Sequence, residues 1–322
     1  MLPKSFIGLI AAGLVVLAVL GFAYVLLGPG SRPTVPPLPS PNGYDELLKA
    51  VEKLREAQSR DRKRTHYRDL NAAELRQLVE RNAGALASAR AALILESRVP
   101  PPVPVRRPSP NAGRTDDVGA MMEVARAALE EKAFTGFKEL ALAFAAEGRL
   151  AELEGRHADA ARSYLAAIQL GHAGSRGGGM LHKLVGAACE ALGLDHLRVL
   201  IPQLNAQQCR ELITSMEARE AQRESFKQVL RNEKAYLRRR FGLGVQLAGI
   251  VHFRATQQSH AKTKKKLAER ELQARTTLVD LAVRAHEQEK SERPKGWTDL
   301  VPTYLKAIPL DPSTGKNLDY RF

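Results

Sequence analysis

Cysteine is scarce: Cys189 and Cys209 are the only two in 322 residues. That excludes a disulfide-stapled miniprotein and any four-cysteine metal site. Gly-x-Ser-x-Gly, His-Glu-x-x-His and Cys-x-x-Cys are all missing, so the common hydrolase, metalloprotease and redox signatures fail. Thr314-Gly-Lys-Asn317 fails as a phosphate loop, because Leu310 stands where the first glycine belongs and Asn317 is neither Ser nor Thr. Gly242-Leu-Gly-Val-Gln-Leu247 lacks the third glycine of a dinucleotide loop. No stretch before residue 300 alternates polar and apolar residues over the length of a strand. Negative charge is short as well, with 35 Asp and Glu against 49 Lys and Arg and a formal net charge of +14.

What is present begins at the N-terminus. Phe6 to Leu27 is 22 residues without a charge, and a helix needs about 20 apolar residues to cross a bilayer. A cleaved signal peptide is the alternative. Its apolar region would be shorter, and the exit at Tyr24-Val-Leu-Leu-Gly-Pro offers no Ala-x-Ala. The run is read as an uncleaved transmembrane anchor over 1–28. The α-amine and Lys4 precede it, and Arg32 is the only charge after it before Asp45. That balance favours a cytoplasmic N-terminus, an extracytoplasmic bulk and residence in the cytoplasmic (inner) membrane.

Prolines divide the rest. Two runs, Pro29 to Pro41 and Pro100 to Pro110, hold 12 of the 18. Proline fixes φ and removes a donor, so both read as extended spacers, at 29–41 and 99–115. Between them, 42–98 reads as a helical hairpin favoured as a separate unit. Its signals are a cap at Asn42, apolar Leu47, Val51 and Leu54 at helical spacing, and an Asn71–Glu74 capping box. From 116 to 296 the pattern is helical almost throughout, including one long helix expected from Asn205 to Phe241 and another from Ala255 to Lys290. The closing 297–322 predicts a docked lid. In it a helix with Trp297, Leu300, Tyr304 and Ile308 on one face is stopped by Pro309, and a short β-hairpin turns at Asp311-Pro-Ser-Thr-Gly315. The expected class is mainly α.

Phe144 to Leu170 resembles one tetratricopeptide repeat. Phe144 and Gly148 stand at the family's first aromatic and its helix-A glycine, and Ala160, Tyr164 and Ala167 match its second helix. The resemblance implies a close helix pair, with Tyr164 filling the space beside Gly148. Glu147, Ala151 and His172 depart from the pattern, and no second copy lies 34 residues away. The segments GHAGSRGGGMLHKLVGAACEALGLDHL and LVPTYLKAIPLDPSTGKNLDYRF resemble a group of bacterial single-pass membrane-anchored helical proteins, a likeness that brings no activity. The close is also similar to the C-terminal stretch of pilin-like secretion subunits. The anchor has no glutamate and no processing motif precedes it, so their assembly function does not carry over.

Three sites for chemistry stand out. The glycine-rich Gly171–Gly179 offers an anion-binding nest at Ser175, Arg176, Gly177 and Gly178, or a permissive helix connection. Whether His172, Ser175, Arg176 and His182 converge in a concave pocket or scatter over the surface separates an enzyme built on this region from a non-enzymatic scaffold. Phe226 to Arg275 holds 13 Lys and Arg against three Glu, with clusters at Arg238, Arg239 and Arg240 and at Lys262, Lys264, Lys265 and Lys266. This basic stretch is either a solvated helix face or a contact for membrane or another anionic surface, with nucleic acid last if the domain lies outside. The neutral run Phe241 to Phe253 inside it is too short to span a bilayer. Cys189 and Cys209 are either a disulfide, if the compartment is oxidising, or buried thiols. No metal site, catalytic residue or cofactor is assigned. His182, Cys189, His196 and Cys209 match no zinc spacing. The function expected is a non-enzymatic envelope scaffold or protein-interaction module. The alternative is an envelope enzyme or anionic-polymer binder using Gly171–Gly179 and the basic stretch.

Overall fold

A computed structural model describes residues 37–59, 67–102, 116–241 and 253–322, with the backbone alone at 116–130, 241 and 253–256. The anchor at Phe6 to Leu27 lies outside these residues, as do the first spacer to Pro36, most of the second spacer and the neutral run after Phe241. Among the described residues no helix is long and apolar enough to cross a membrane.

The described chain is mainly α-helical. Its helices are α1 (Gly43–Gln58), α2 (Ala72–Ile94), α3 (Asp116–Leu153), α4 (His157–Ala173), α5 (Met180–Leu200), α6 (Ala206–Glu220), α7 (Phe226–Phe241), α8 (Phe253–Lys290) and the short α9 (Trp297–Leu300). The caps read from sequence are in place. Asn42 Oδ1 accepts from the Tyr44 amide at 3.3 Å. Asn71 and Glu74 form a reciprocal capping box, each accepting from the other's amide near 3 Å. Asn205 and Gln208 repeat the arrangement at the start of α6. Each such cap stabilises its helix by roughly 1 kcal/mol.

The hairpin of α1 and α2 is not a separate unit. Leu47, Val51, Leu54, Leu86 and Leu93 share one apolar cluster with Phe137, Leu140, Phe144 and Leu170 of α3 and α4, so Leu38–Phe322 forms a single compact unit. Gly136 permits the approach, because a Cβ there would lie 2.1 Å from Val51 Cγ1. Asn42 ties the hairpin ends together. Its Nδ2 donates to the Arg98 carbonyl at 2.9 Å, and its Oδ1 accepts from the Arg98 amide at 2.9 Å. The strap after α2 then binds the end of α4 through Ser97 Oγ donating to Ala173 O at 2.7 Å and Val99 N donating to Arg176 O at 2.8 Å.

Two contacts set the α3–α4–α5 layer. Tyr164 lies over Gly148, where a Cβ would meet its ring at 2.3 Å, as the small–large spacing predicts. Its hydroxyl donates to Glu152 at 2.7 Å. Farther along, α4 and α5 touch backbone to backbone. A Cβ on Gly171 would be 2.3 Å from Gly186 O, and one on Gly186 would be 2.4 Å from Gly171 O. A second cluster joins α5, α6 and α8 through Leu194, Leu197, Cys209, Ile213, Val279 and Leu281.

Two expected helices are shorter than their periodicity predicts. The stretch from Asn205 breaks at 221–225 into α6 and α7. Arg223 and Glu224 leave the helix to meet buried partners on α5, and Ser225 restarts it by accepting from Gln228 N at 3.3 Å. The C-terminal helix stops after four residues, because Pro302 pushes Val301 into extended geometry. Beyond it no strand forms among the described residues. A single antiparallel bridge joins Leu310 and Asn317, closed by Asp311 N donating to Lys316 O at 2.8 Å with Gly315 at φ +71°. The segment is nonetheless docked: Leu300, Leu305 and Leu318 are buried in the second cluster, and Tyr320 donates to Asp280 at 2.8 Å.

Candidate functional site

The turn after α4 carries the glycine-rich sequence, and its anion-binding capacity is used internally. The Gly177 amide, on a residue with φ +77°, donates to Glu224 at 3.1 Å. The Met180 amide, at the N-terminus of α5, donates to Glu233 Oε2 at 2.8 Å. Gly179 admits that carboxylate, since a Cβ would stand 1.9 Å from the same oxygen. Ser175 is buried and donates to Gly171 O at 2.8 Å. Of the four residues assigned to the nest, Gly177 and Gly178 therefore serve the turn, and Arg176 alone turns an open cationic side chain outward.

That side chain faces a cleft of about 800 Å³ between the ends of α2 and α4, the α6–α7 turn and α8. Its floor is a buried ion network. Glu190 of α5, 5% exposed, accepts from Arg223 Nη2 at 2.5 Å and lies 3.0 Å from His172 Nε2. Arg223 also reaches Glu220 at 2.5 Å. Burial alone would push the Glu190 carboxyl up, but the charges and hydrogen bonds of His172 and Arg223 overcome this and hold it at about 2. Burial likewise opposes the Arg223 charge, and Glu190 and Glu220 more than restore it. Beside the network Lys183 pairs with Glu224 at 2.7 Å. Burial lowers Lys183 against the pull of that carboxylate, while Lys183 overcomes burial to lower Glu224.

Single donor atoms of His172, Glu190 and Glu220 lie within 4.8 Å of one another, the kind of grouping that holds a metal. Arg223 already sits among them, bonded to Glu190 and Glu220 and 3.2 Å from His172 Nε2. A guanidinium there supplies the positive charge that a cation would bring, so the grouping fits an internal salt network.

The upper wall differs from the floor. Arg219, half-buried on the last turn of α6, meets no carboxylate or other acceptor among the described residues. Burial and the nearby Arg176 charge both disfavour its charged form. Arg176 itself donates to Gln222 at 3.2 Å, and the nearest carboxylate is exposed Glu96 at 3.7 Å. Lys264 joins this wall from α8, and Phe226, Leu267 and Pro312 add apolar surface. Ile94 at the lip is 86% exposed.

The residues picked out in the sequence are distributed as follows. His172, Ser175 and Arg176 line the cleft, whereas His182 packs edge-on to Phe134 at 4.9 Å outside it. Among the seven basic-cluster residues only Lys264 reaches the cleft. Lys262, Lys265, Lys266 and Arg239 are exposed elsewhere, Arg238 is half-exposed, and Arg240 donates to Tyr236 at 2.8 Å. Cys189 and Cys209 are free thiols buried in different clusters, so the possible disulfide is absent. Burial pushes both up to about 12. Sequence reasoning missed Glu190, Arg219, Arg223, Glu224 and Ile94. Glu190 carried a signal, a lone charge on an otherwise apolar stretch of α5; the others become a site only through long-range packing. Comparison with family models, with curated proteins and with solved structures finds no match.

Proposed function

We propose that this chain is a non-enzymatic binding module, a membrane-anchored scaffold of the cell envelope whose cleft receives a partner protein. One observation carries the binding part: the hydroxyl, imidazole and amine that stand beside the ion network are committed within the protein. The Ser175 hydroxyl serves Gly171 O, the His172 ring lies between Glu190 and Arg223, and Lys183 is held by Glu224. What stays open is cationic and apolar surface, which recognises rather than reacts. The uncharged Phe6–Leu27 run and the proline spacer support the anchored reading, with the helical body outside. The Gly148–Tyr164 helix pair, resembling a single tetratricopeptide repeat, supports an interaction role.

A photo-crosslinking residue at Ile94 in the living cell tests this reading. The expected result is a discrete protein adduct that is lost when Lys264→Glu is added and is absent from a control probe at exposed Val199. A probe at Ile94 that gives no adduct, while Ser175→Ala abolishes a measurable cellular phenotype, would favour the enzyme instead. A second reading, an anionic-polymer binder, is favoured by the exposed Lys262, Lys265 and Lys266 on α8. Retention on a polyanion column that falls when these three become Gln would support it. The anchor is tested by carbonate extraction: full-length protein should stay with membranes, and deleting residues 1–27 should release it.

A further inference from the structure

Arg219 and Arg176 line one wall of the cleft, and neither has a buried carboxylate. Two guanidiniums that line the same cleft repel each other and are stabilised by an oxyanion placed between them. Within reach of the same cleft, Ile94 presents a full apolar side chain to solvent. We infer that the cleft takes an acidic peptide segment, its carboxylate held between Arg176 and Arg219 and a neighbouring apolar side chain seated on Ile94. The inference rests on the binding-module reading and adds the chemistry of the partner.

A peptide fits the lining better than a lipid headgroup or a phosphate. Glu96, Glu224 and Glu271 also line the cleft. They would repel a diffuse multivalent anion, and Glu96, the exposed one of the three, can accept from the amide groups that accompany a single carboxylate. The apolar contact at Ile94 is the size of one side chain. A volume of about 800 Å³ suits a few residues. The chain's own 103–115 segment, which follows Pro102 in sequence, is a poor occupant, because it carries Arg106, Arg107 and Arg114 and no acid.

The test is affinity selection on immobilised full-length protein in non-ionic detergent. Two mass-encoded hexapeptide libraries are used, both with blocked termini and random apolar flanks. One has a central Asp and the other a central Asn. The Asp library should be retained at least about tenfold better, the loss expected when a charge-assisted bond becomes neutral. Arg219→Met and, independently, Arg176→Met should bring the ratio close to one with an unchanged melting temperature. Ile94→Ser should lower retention of both libraries without changing their ratio. A ratio near one for the wild-type chain overturns the inference, and so does a ratio that survives both arginine substitutions. If Ile94 crosslinks to a protein in cells while the ratio is near one, the binding module stands and the acidic-peptide chemistry falls. If neither result appears, both fall.

Discussion

Replacing Arg223 by Met tests whether the floor of the cleft holds the fold together. Arg223 is 19% exposed and Glu190 5% exposed, and the guanidinium reaches both Glu190 and Glu220. Methionine fills much of the same space, so little apolar packing is lost. The main effect is to leave Glu190 buried with only His172 beside it. Breaking a buried pair from one side costs about 3–5 kcal/mol. His172 remains, so about 3 kcal/mol is the expected loss at pH 8. At pH 5 the loss should shrink, because a Glu190 carboxyl without Arg223 takes up a proton in its buried site. Glu190→Gln in the same chain removes the orphaned charge and should recover about 2 kcal/mol, a coupling typical of contacting residues. The assay is urea unfolding of Leu38–Phe322 followed by circular dichroism at both pH values. A loss under about 1 kcal/mol, or a double variant that equals the sum of the singles, would refute the network's role.

The intact network also sets a pH dependence. The Glu190 carboxyl is lowered from an ordinary 4.5 to about 2, so its contribution is complete above about 4.5 and is lost as pH falls toward 2. The amount is about 3 kcal/mol, and Glu190→Gln should flatten acid unfolding over that window. Cys189 and Cys209, 1% and 0% exposed, should resist thiol reagents in the native protein and both label in denaturant; labelling of either at the rate of a free thiol would contradict their burial. Removing residues 297–322 takes Leu300, Leu305 and Leu318 from the second cluster, and each buried leucine contributes roughly 1.5–3 kcal/mol. The melting temperature should drop by about ten degrees or more, and an unchanged melt would show the segment undocked.

The fold was legible wherever its cause is local. Asn42, Asn71 and Asn205 announce helix starts because a capping side chain acts within three residues. The Gly148–Tyr164 contact was legible because small and large residues at fixed spacing imply one geometry. Periodicity could not show the break at 221–225. That break depends on Arg223 and Glu224 finding Glu190 and Lys183, residues more than 30 positions away. The hairpin's union with the body had the same origin, in Val51 meeting Gly136. The C-terminal helix is shorter than its apolar spacing predicts for a local reason: Pro302 interrupts that spacing and ends the helix at Leu300. The cleft was legible only in pieces. The glycine-rich turn and the basic stretch were both visible, but their meeting at Arg176 and Lys264 comes from the way α4 and α8 lie against α6.

Trp297 is the only tryptophan in the chain. Its ring lies 5.1 Å from Phe322, edge-on, and 6.3 Å from Tyr320. The protein therefore carries a native optical probe at one place, the point where its last residues meet the α6–α8 side of the body. The cluster around Tyr44 and Phe137 contains no indole and is silent under red-edge excitation. Emission reports release of the terminus, while circular dichroism reports all helices together. If the two midpoints coincide, the apolar clusters melt as one cooperative body; if they separate, the chain unfolds in stages.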